Sequence, residues 1–182
     1  MALHKRLKRL DRVWIEPPIY FLTTCTHGRR RILTHAKAAD ILIEEWRQAS
    51  IRLRWSIGRY VIMPDHVHFF SSSVDLSRSL SDFMQRWKQW TSKRIIHEVG
   101  LVGPVWQAEF FDHLLRSSES YEQKWNYVRE NPVRAGLVAV ADDWEWQGEV
   151  SDCAGTAVAG IADPGQKLGQ CQPLGFEARY DL

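Results

Sequence analysis

Two histidines separated by one residue, His66 and His68, are the residues of this 182-residue chain best placed to bind one metal ion together. Side chains alternate along a β-strand, so in an extended segment both imidazoles point to one face and Val67 to the other. Neutral imidazoles are common metal ligands. The spacing also arises by chance in a chain with seven histidines, so the alternative is a pair of partly exposed strand residues.

A tyrosine further along the chain offers a nucleophile. In the segment SYEQKWNYVREN, the apolar residues Tyr121, Trp125 and Val128 follow helical spacing and are predicted to face the core. At about 100° per residue, Tyr127 lies roughly 130° from that stripe and therefore points away from the core. Asn131 follows one turn later on the same side as Tyr127. The alternative is an ordinary surface tyrosine.

Together these residues indicate phosphodiester chemistry. A phenol has a pKa of about 10 and is a weak nucleophile near neutral pH, so it needs an activated electrophile. A divalent ion bound to a phosphodiester provides this, because it neutralises negative charge on a non-bridging oxygen. Two histidines leave positions for phosphate, water and a third ligand, for which the side-chain oxygen of Asn131 is the candidate. We expect Mg²⁺ or Mn²⁺ as the cofactor.

The elements that must position these residues are predicted from hydrophobic periodicity and turn residues. Strands are expected at residues 18–26, 54–63, 66–72 and 106–115, and helices at 35–50, 76–97 and 119–131. Pro64 and Asp65 predict a hairpin between the second and third strands. Ser118 is a candidate N-cap of the last helix, and Pro132 should end or bend it. This order predicts an α+β fold, a ferredoxin-like antiparallel sheet with helices on one face.

The helix predicted at 76–97 combines an apolar stripe with basic residues. The stripe is expected to face the core and consists of Leu76, Leu80, Phe83, Met84, Trp87 and Trp90. Candidate phosphate contacts are basic residues in three places: largely off this stripe on the same helix, in the N-terminal arm, and in the loop after the first strand. These DNA-binding candidates are Lys5, Arg6, Lys8, Arg9, Arg12, Arg29, Arg30, Arg86, Lys88, Lys93 and Arg94. The alternative for the arm is a solvated terminus.

Length and composition predict one domain with flanking segments: a basic arm at 1–13, a domain at 14–149 and a tail at 150–182. The tail is rich in Gly, Ala, Ser, Pro and Gln without clear periodicity, so we expect it to be partly ordered at best. Three cysteines, none in a CxxC pair, fit no closed disulfide framework. With no signal peptide and no apolar run of about 20 residues visible, we expect a soluble, cytoplasmic protein that does not bind a membrane.

Two motifs of the chain resemble those of a known family. YVIMPDHVHFF resembles the His-hydrophobe-His (HUH) segment of single-tyrosine transposases. WNYVRENPVRAGLV resembles the tyrosine helix of the REP-associated tyrosine transposases, bacterial relatives of the insertion-sequence 200/605 group, and WQAEFFDHLLR is similar to the segment that precedes it. The resemblance covers roughly residues 14–146, and the two motifs in this order are far more specific than the histidine pair alone.

The resemblance implies the HUH endonuclease fold and a metal-dependent reaction on single-stranded DNA. His66 and His68 match the metal pair, Tyr127 the nucleophile and Asn131 a third metal ligand. The implied reaction leaves a 5′-phosphotyrosine and a free 3′-hydroxyl, and its reversal with another 3′ end rejoins strands. The implied substrates are imperfect palindromes that fold as hairpins (REP-like palindromes), and the implied location is the bacterial nucleoid. We expect a monomer, with a dimer as the alternative.

Two other functions remain open. One is a hairpin-binding protein without catalysis, although every expected reactive position is filled. The other is a metal-dependent phosphoesterase that uses water, with Tyr127 incidental. His113 is a further, less favoured candidate for a metal ligand.

Overall fold

The computed structural model describes residues 18–115 and 121–150. Within these two segments the chain forms five strands: β1 (Ile19–Cys25), β2 (Trp55–Met63), β3 (His66–Ser73), β4 (Phe111–Leu114) and β5 (Gln147–Glu149). The α-helices of the same segments are α1 (Ala36–Arg47), α2 (Ala49–Arg52), α3 (Leu80–Val99), α4 (Tyr121–Arg129) and α5 (Asn131–Arg134). The basic arm, Ser118 and residues 151–182 of the tail lie outside the described residues.

The strands form one antiparallel sheet in the order β4-β1-β3-β2-β5. β2 and β3 form the predicted hairpin, in which Met63 pairs with His66 across the turn. β3 lies between β1 and β2, which gives the split arrangement of a ferredoxin-like fold and confirms the α+β class. The strand predicted at 106–115 is shorter than expected, because β4 begins only at Phe111 and Trp106 makes an isolated bridge to Thr26.

One face of the sheet carries the larger core, under α1 and α3. The rings of Trp46 in α1 and Trp87 in α3 stack with their centroids 5.6 Å apart. The centroid of the Phe69 ring of β3 lies 5.1 Å from that of Trp46 and 5.5 Å from that of Trp87. Leu22 and Val67 are fully buried in the same cluster. Since alternate residues of β3 point to opposite faces, this core places His66, His68 and Phe70 on the other face.

The short helix α4 packs on that other face. Val128 is buried in a second cluster with Phe21 and Phe70, and the Tyr121 ring lies 4.2 Å from the Phe70 ring. Helices therefore lie on both faces of the sheet, and the expectation of a single helical face holds only for α1 and α3. We call the face that carries Thr23, His66, His68 and Phe70 the histidine face.

The start of α3 differs from the sequence prediction. The hydroxyl of Ser79 accepts a hydrogen bond from the Asp82 amide and caps the helix, so the preceding residues stay in a turn. Leu76 has a φ of 58° and is 75% exposed, and Trp90 is 51% exposed, so neither belongs to the core stripe. The buried stripe instead continues from Trp87 to Thr91 and Ile95. The helix ends at Gly100, whose φ of 75° suits a residue without a side chain.

None of the helices in the described segments combines the length and apolar character needed to cross a lipid bilayer.

A close contact between Gly58 and Tyr121 fixes α4 on the sheet. The Arg59 amide donates a hydrogen bond of 3.1 Å to the Tyr121 hydroxyl oxygen. A Cβ atom at position 58 would lie only 2.8 Å from that oxygen, so the approach requires glycine. The Arg59 guanidinium also pairs with Glu122 at 2.7 Å. Burial raises the pKa of Tyr121 to about 12, so its phenol stays neutral.

We predict that Gly58→Ala destabilises the fold by about 1–3 kcal/mol, because the added methyl group displaces Tyr121 from the sheet. Urea denaturation followed by tryptophan fluorescence measures the loss. The matched control is Gly58→Ala in a Tyr121→Phe background, where the clashing oxygen is absent and the cost should shrink. An equal cost in both backgrounds would show that the contact does not limit the packing of α4.

Candidate active site

His66 and His68 lie side by side on the histidine face. Their ring centroids are 4.7 Å apart, with the rings nearly perpendicular. Both residues are partly buried, next to the turn that begins β3. The alternation predicted from the sequence is therefore present, with Val67 fully buried on the opposite face.

Asp65 fixes the orientation of His66. Its Oδ1 atom lies 2.7 Å from His66 Nδ1, and a carboxylate only accepts, so Nδ1 carries the proton and Nε2 keeps a free lone pair. The second carboxylate oxygen of Asp65 pairs with Arg29 Nε at 2.9 Å. Burial lowers the pKa of His66, while the Asp65 carboxylate acts in the opposite direction.

Thr23 likewise contacts the Nδ1 atom of His68. The Thr23 hydroxyl lies 2.7 Å from His68 Nδ1, because β1 pairs with β3 in a register that sets these two residues opposite each other. The Phe21 ring stacks on the imidazole at 5.5 Å. Burial, and then the nearby charges of His66, Arg29 and Arg134, lower the pKa of His68 to about 3. His68 is therefore neutral near pH 7, the state that binds metal ions.

Tyr127 is 65% exposed on α4, and the adjacent residue Val128 is buried against the sheet. The phenol thus points away from the core, as the helical spacing predicts. The Arg134 guanidinium lies over the Tyr127 ring, 4.3 Å from its centroid. Arg134 Nη2 also donates a hydrogen bond of 2.7 Å to the Tyr127 carbonyl oxygen.

Asn131 lies at the junction between two helices. As expected from Pro132, the helix is interrupted here: α4 ends at Arg129 and α5 begins at Asn131, with Pro132 buried in its first turn. The Asn131 Oδ1 atom accepts a hydrogen bond from Arg134 Nη2. The oxygen proposed as a metal ligand is thus occupied by an arginine, and its role as a ligand stays a prediction.

Within residues 18–115 and 121–150, no three His, Cys, Asp or Glu side chains come together as a metal site. Among the described residues, a metal ion on the histidine face would have the two imidazoles as ligands, and Asn131 stays the predicted third ligand. His113 of β4 pairs with Phe21 of β1 and so shares this face, but it joins no such group within the described residues.

The arginines of the loop after β1 are engaged within the protein. Besides Asp65, Arg29 contacts the Cys25 sulfur, with Nη1 to Sγ at 2.6 Å. Arg30 donates hydrogen bonds to the carbonyl oxygens of Val102 and Pro104. Arg29 therefore lies at the edge of the candidate site, while Arg30 holds the loop that follows α3.

The basic residues of α3 lie on the helix that covers the opposite face. Arg94 binds the carboxylates of Glu44, Glu45 and Glu98, and Arg86 pairs with Asp82. The Lys88 ammonium donates to three carbonyl oxygens, those of residues 107–109, and burial lowers its pKa to about 8. The Lys93 ammonium lies over the Trp90 ring. Their role as DNA contacts stays a prediction.

Three residues of the site were not identified from the sequence: Thr23, Asp65 and Arg134. Thr23 reaches His68 only through the pairing of β1 with β3, which no local pattern reveals. Turn propensity predicts only a turn at Asp65, although the position of this residue next to His66 is a usable signal. Arg134 follows Tyr127 by seven residues, two helical turns, and this spacing could have indicated a contact.

Comparisons with known proteins show the family to which the chain is similar. The family described as "Transposase IS200 like" matches residues 18–131. A REP-associated tyrosine transposase of Escherichia coli is 26% identical over 161 residues, 78% of this chain and 92% of the relative. A putative REP-associated tyrosine transposase of Haemophilus influenzae is 23% identical, over 70% and 77% of the two chains.

A solved structure shares the fold. It is described as a REP-associated tyrosine transposase bound to a REP hairpin, has a TM-score of 0.57 and is 22% identical, covering 78% of this chain and 82% of that one. At this identity the match supports the fold, while the family match covers more than half of the sequence. The chain therefore belongs to the IS200-like transposase family.

Proposed function

We propose that this transposase is a metal-dependent endonuclease and strand transferase for single-stranded DNA, with Tyr127 as its single nucleophile. The observation that carries the proposal is the packing of α4 on the histidine face. It brings an exposed tyrosine to the side of the sheet where two neutral, oriented imidazoles lie. The spacing of Tyr127 relative to Val128 keeps the phenol out of the core.

The donors on the histidine face fit a divalent ion such as Mn²⁺ or Mg²⁺. His66 and His68 would hold it through their Nε2 atoms, since Nδ1 of each ring is already engaged by Asp65 or Thr23. Hydrogen-bonded Nδ1 atoms of this kind are the usual second contacts of metal-binding histidines. Asn131 is the proposed third ligand. A bound ion would supply charge neutralisation at the phosphodiester under attack.

The proposed reaction transfers a phosphoryl group without net hydrolysis. The Tyr127 oxygen attacks phosphorus and loses its proton, and the bond from phosphorus to the 3′ oxygen breaks. The departing oxygen takes up a proton and becomes a free 3′-hydroxyl, while the 5′-phosphate stays on Tyr127. Attack by another 3′-hydroxyl reverses these steps and joins a new strand, so no external energy source is required.

The proposed substrate is hairpin DNA of the REP-like type. The support comes from the relatives, one of which is described as bound to a REP hairpin. The proposed phosphate contacts remain the arm Lys5–Arg12, the loop Arg29–Arg30 and the basic residues of α3. Phe111 adds an aromatic candidate for base stacking, because it is 58% exposed and pairs with Thr23 on the histidine face. We retain the expectation of a monomer.

We predict that Tyr127→Phe abolishes the covalent protein–DNA adduct while hairpin binding persists, because only the attacking oxygen is removed. Adduct formation is measured by denaturing gel shift with labelled hairpin DNA and Mn²⁺ or Mg²⁺. The matched control is Tyr121→Phe on the same helix, whose hydroxyl contacts the Arg59 amide. This variant keeps the attacking oxygen of Tyr127 and should still form the adduct, more slowly than the wild type because a contact that fixes α4 on the sheet is lost.

Two outcomes would support the other functions instead. Cleavage that survives Tyr127→Phe and requires His66 and His68 would identify a phosphoesterase that uses water. Hairpin binding without cleavage of any strand, with or without metal, would identify a binding protein that lacks catalysis.

We predict that Thr23→Val lowers the affinity for Mn²⁺ by about 10–100-fold, because His68 loses the hydrogen bond that orients its ring. Calorimetric titration of the DNA-free protein measures the affinity. Thr24→Val is the matched control, since Thr24 is buried on the opposite face of β1, where its hydroxyl has no partner in the described segments. Equal Mn²⁺ affinity in both variants would contradict a metal site at His68.

A further inference from the structure

Arg134 contacts Tyr127 and Asn131, two of the residues proposed to act in catalysis. Its guanidinium lies over the Tyr127 ring, and Nη2 donates to both the Tyr127 carbonyl oxygen and Asn131 Oδ1. Its charge also acts on His68. Arg134 therefore lies beside Tyr127 at the junction of α4 and α5, and the alternative to a catalytic role is that it only caps this junction.

Arg134 has more hydrogen-bond donors than it needs to cap the junction of α4 and α5. A guanidinium has five N–H donors, and both hydrogen bonds that Arg134 makes to the described residues come from Nη2. Within residues 18–115 and 121–150, its Nε and Nη1 atoms have no acceptor and no carboxylate pairs with it. Arg129 on α4 instead pairs with Asp142, and Arg59 pairs with Glu122. Arg134 is thus an exposed cation beside Tyr127 whose charge is not neutralised by these residues.

We infer that Arg134 binds the phosphodiester that Tyr127 attacks, through Nε and Nη1, while Nη2 keeps its hydrogen bonds to the Tyr127 carbonyl oxygen and Asn131 Oδ1. The Asn131 oxygen has two lone pairs, so it would accept from Nη2 with one and face the proposed metal ion with the other. The inference rests on the proposed function, which supplies the nucleophile. Arginine suits this role because its planar fork binds two phosphate oxygens at once and never loses its charge. The Nη2 bonds fix the guanidinium in advance, so little entropy is lost when the phosphate arrives.

The proposed contact between Arg134 and the phosphate would add a positive charge beside that of the bound ion, because the two histidines are neutral. Negative charge on the non-bridging phosphate oxygens must be stabilised as the bond to Tyr127 forms, and a prearranged cation does this most effectively. Bond making and breaking are those of the proposed reaction, and Arg134 neither gains nor loses a proton.

The test compares single-turnover rates of adduct formation at saturating hairpin DNA. We expect Arg134→Met to be about 100-fold slower or more, with Arg134→Lys between it and the wild type. Arg129→Met removes a nearby cation that already has a carboxylate partner and should change the rate little. A rate of Arg134→Met equal to that of the wild type would overturn the inference.

A neutral substrate separates a phosphate contact from a structural cap. A methylphosphonate at the scissile position lacks one charged oxygen, so the defect of Arg134→Met should shrink at least tenfold on it. A defect of the same size on both substrates would overturn the inference, because a structural cap does not sense the charge of the phosphate.

Binding measurements keep this test separate from that of the proposed function. In a Tyr127→Phe background, which removes the nucleophile, hairpins with a normal or a methylphosphonate scissile linkage are titrated against Arg134 and Arg134→Met proteins. We expect the neutral linkage to weaken binding only when Arg134 is present. The same loss in both proteins would overturn the inference, whereas a wild-type protein that binds but forms no adduct would overturn the proposed function alone.

Discussion

The packing of α4 against the histidine face is the contact on which the candidate site depends. Val128 and the Tyr121 ring bury apolar surface against Phe21 and Phe70, and such burial contributes on the order of 1.5–3 kcal/mol for each large side chain. The absence of a side chain at Gly58 lets the Tyr121 hydroxyl reach the sheet backbone. Because Val128 is held against the sheet, Tyr127, the residue before it, lies on the exposed side of the helix.

The sheet determines the burial and the ring orientation of the two histidines. Burial keeps them neutral, and a different partner holds Nδ1 of each ring: Asp65 for His66 and Thr23 for His68. One partner is the preceding residue in the chain, while the other comes from the neighbouring strand. The orientation of the pair therefore requires both the tight hairpin turn and the pairing of β1 with β3, so the site can form only in the folded sheet.

The basic side chains divide into two groups according to their partners. Those of α3 are engaged by carboxylates, carbonyl oxygens or an aromatic ring, and they hold α1, α3 and the following loop together. Arg134 is different, because it is exposed, and in the described part of the chain it meets a tyrosine and an amide rather than a carboxylate. Net charge, only +2 for the chain, does not reveal this difference.

The amino-acid sequence is enough to predict the antiparallel α+β fold, the hairpin that carries the histidine pair, the break at Pro132 and the outward direction of Tyr127. These features follow from local periods and turn residues, which a linear pattern preserves. Three other features appear only in the folded protein: α4 lies on the histidine face, Thr23 contacts His68, and Leu76 and Trp90 lie outside the core. Each of these depends on pairing or packing between residues distant in the chain, or on a cap at Ser79 that overrode helical spacing, and periodicity carries no information about which distant surfaces meet.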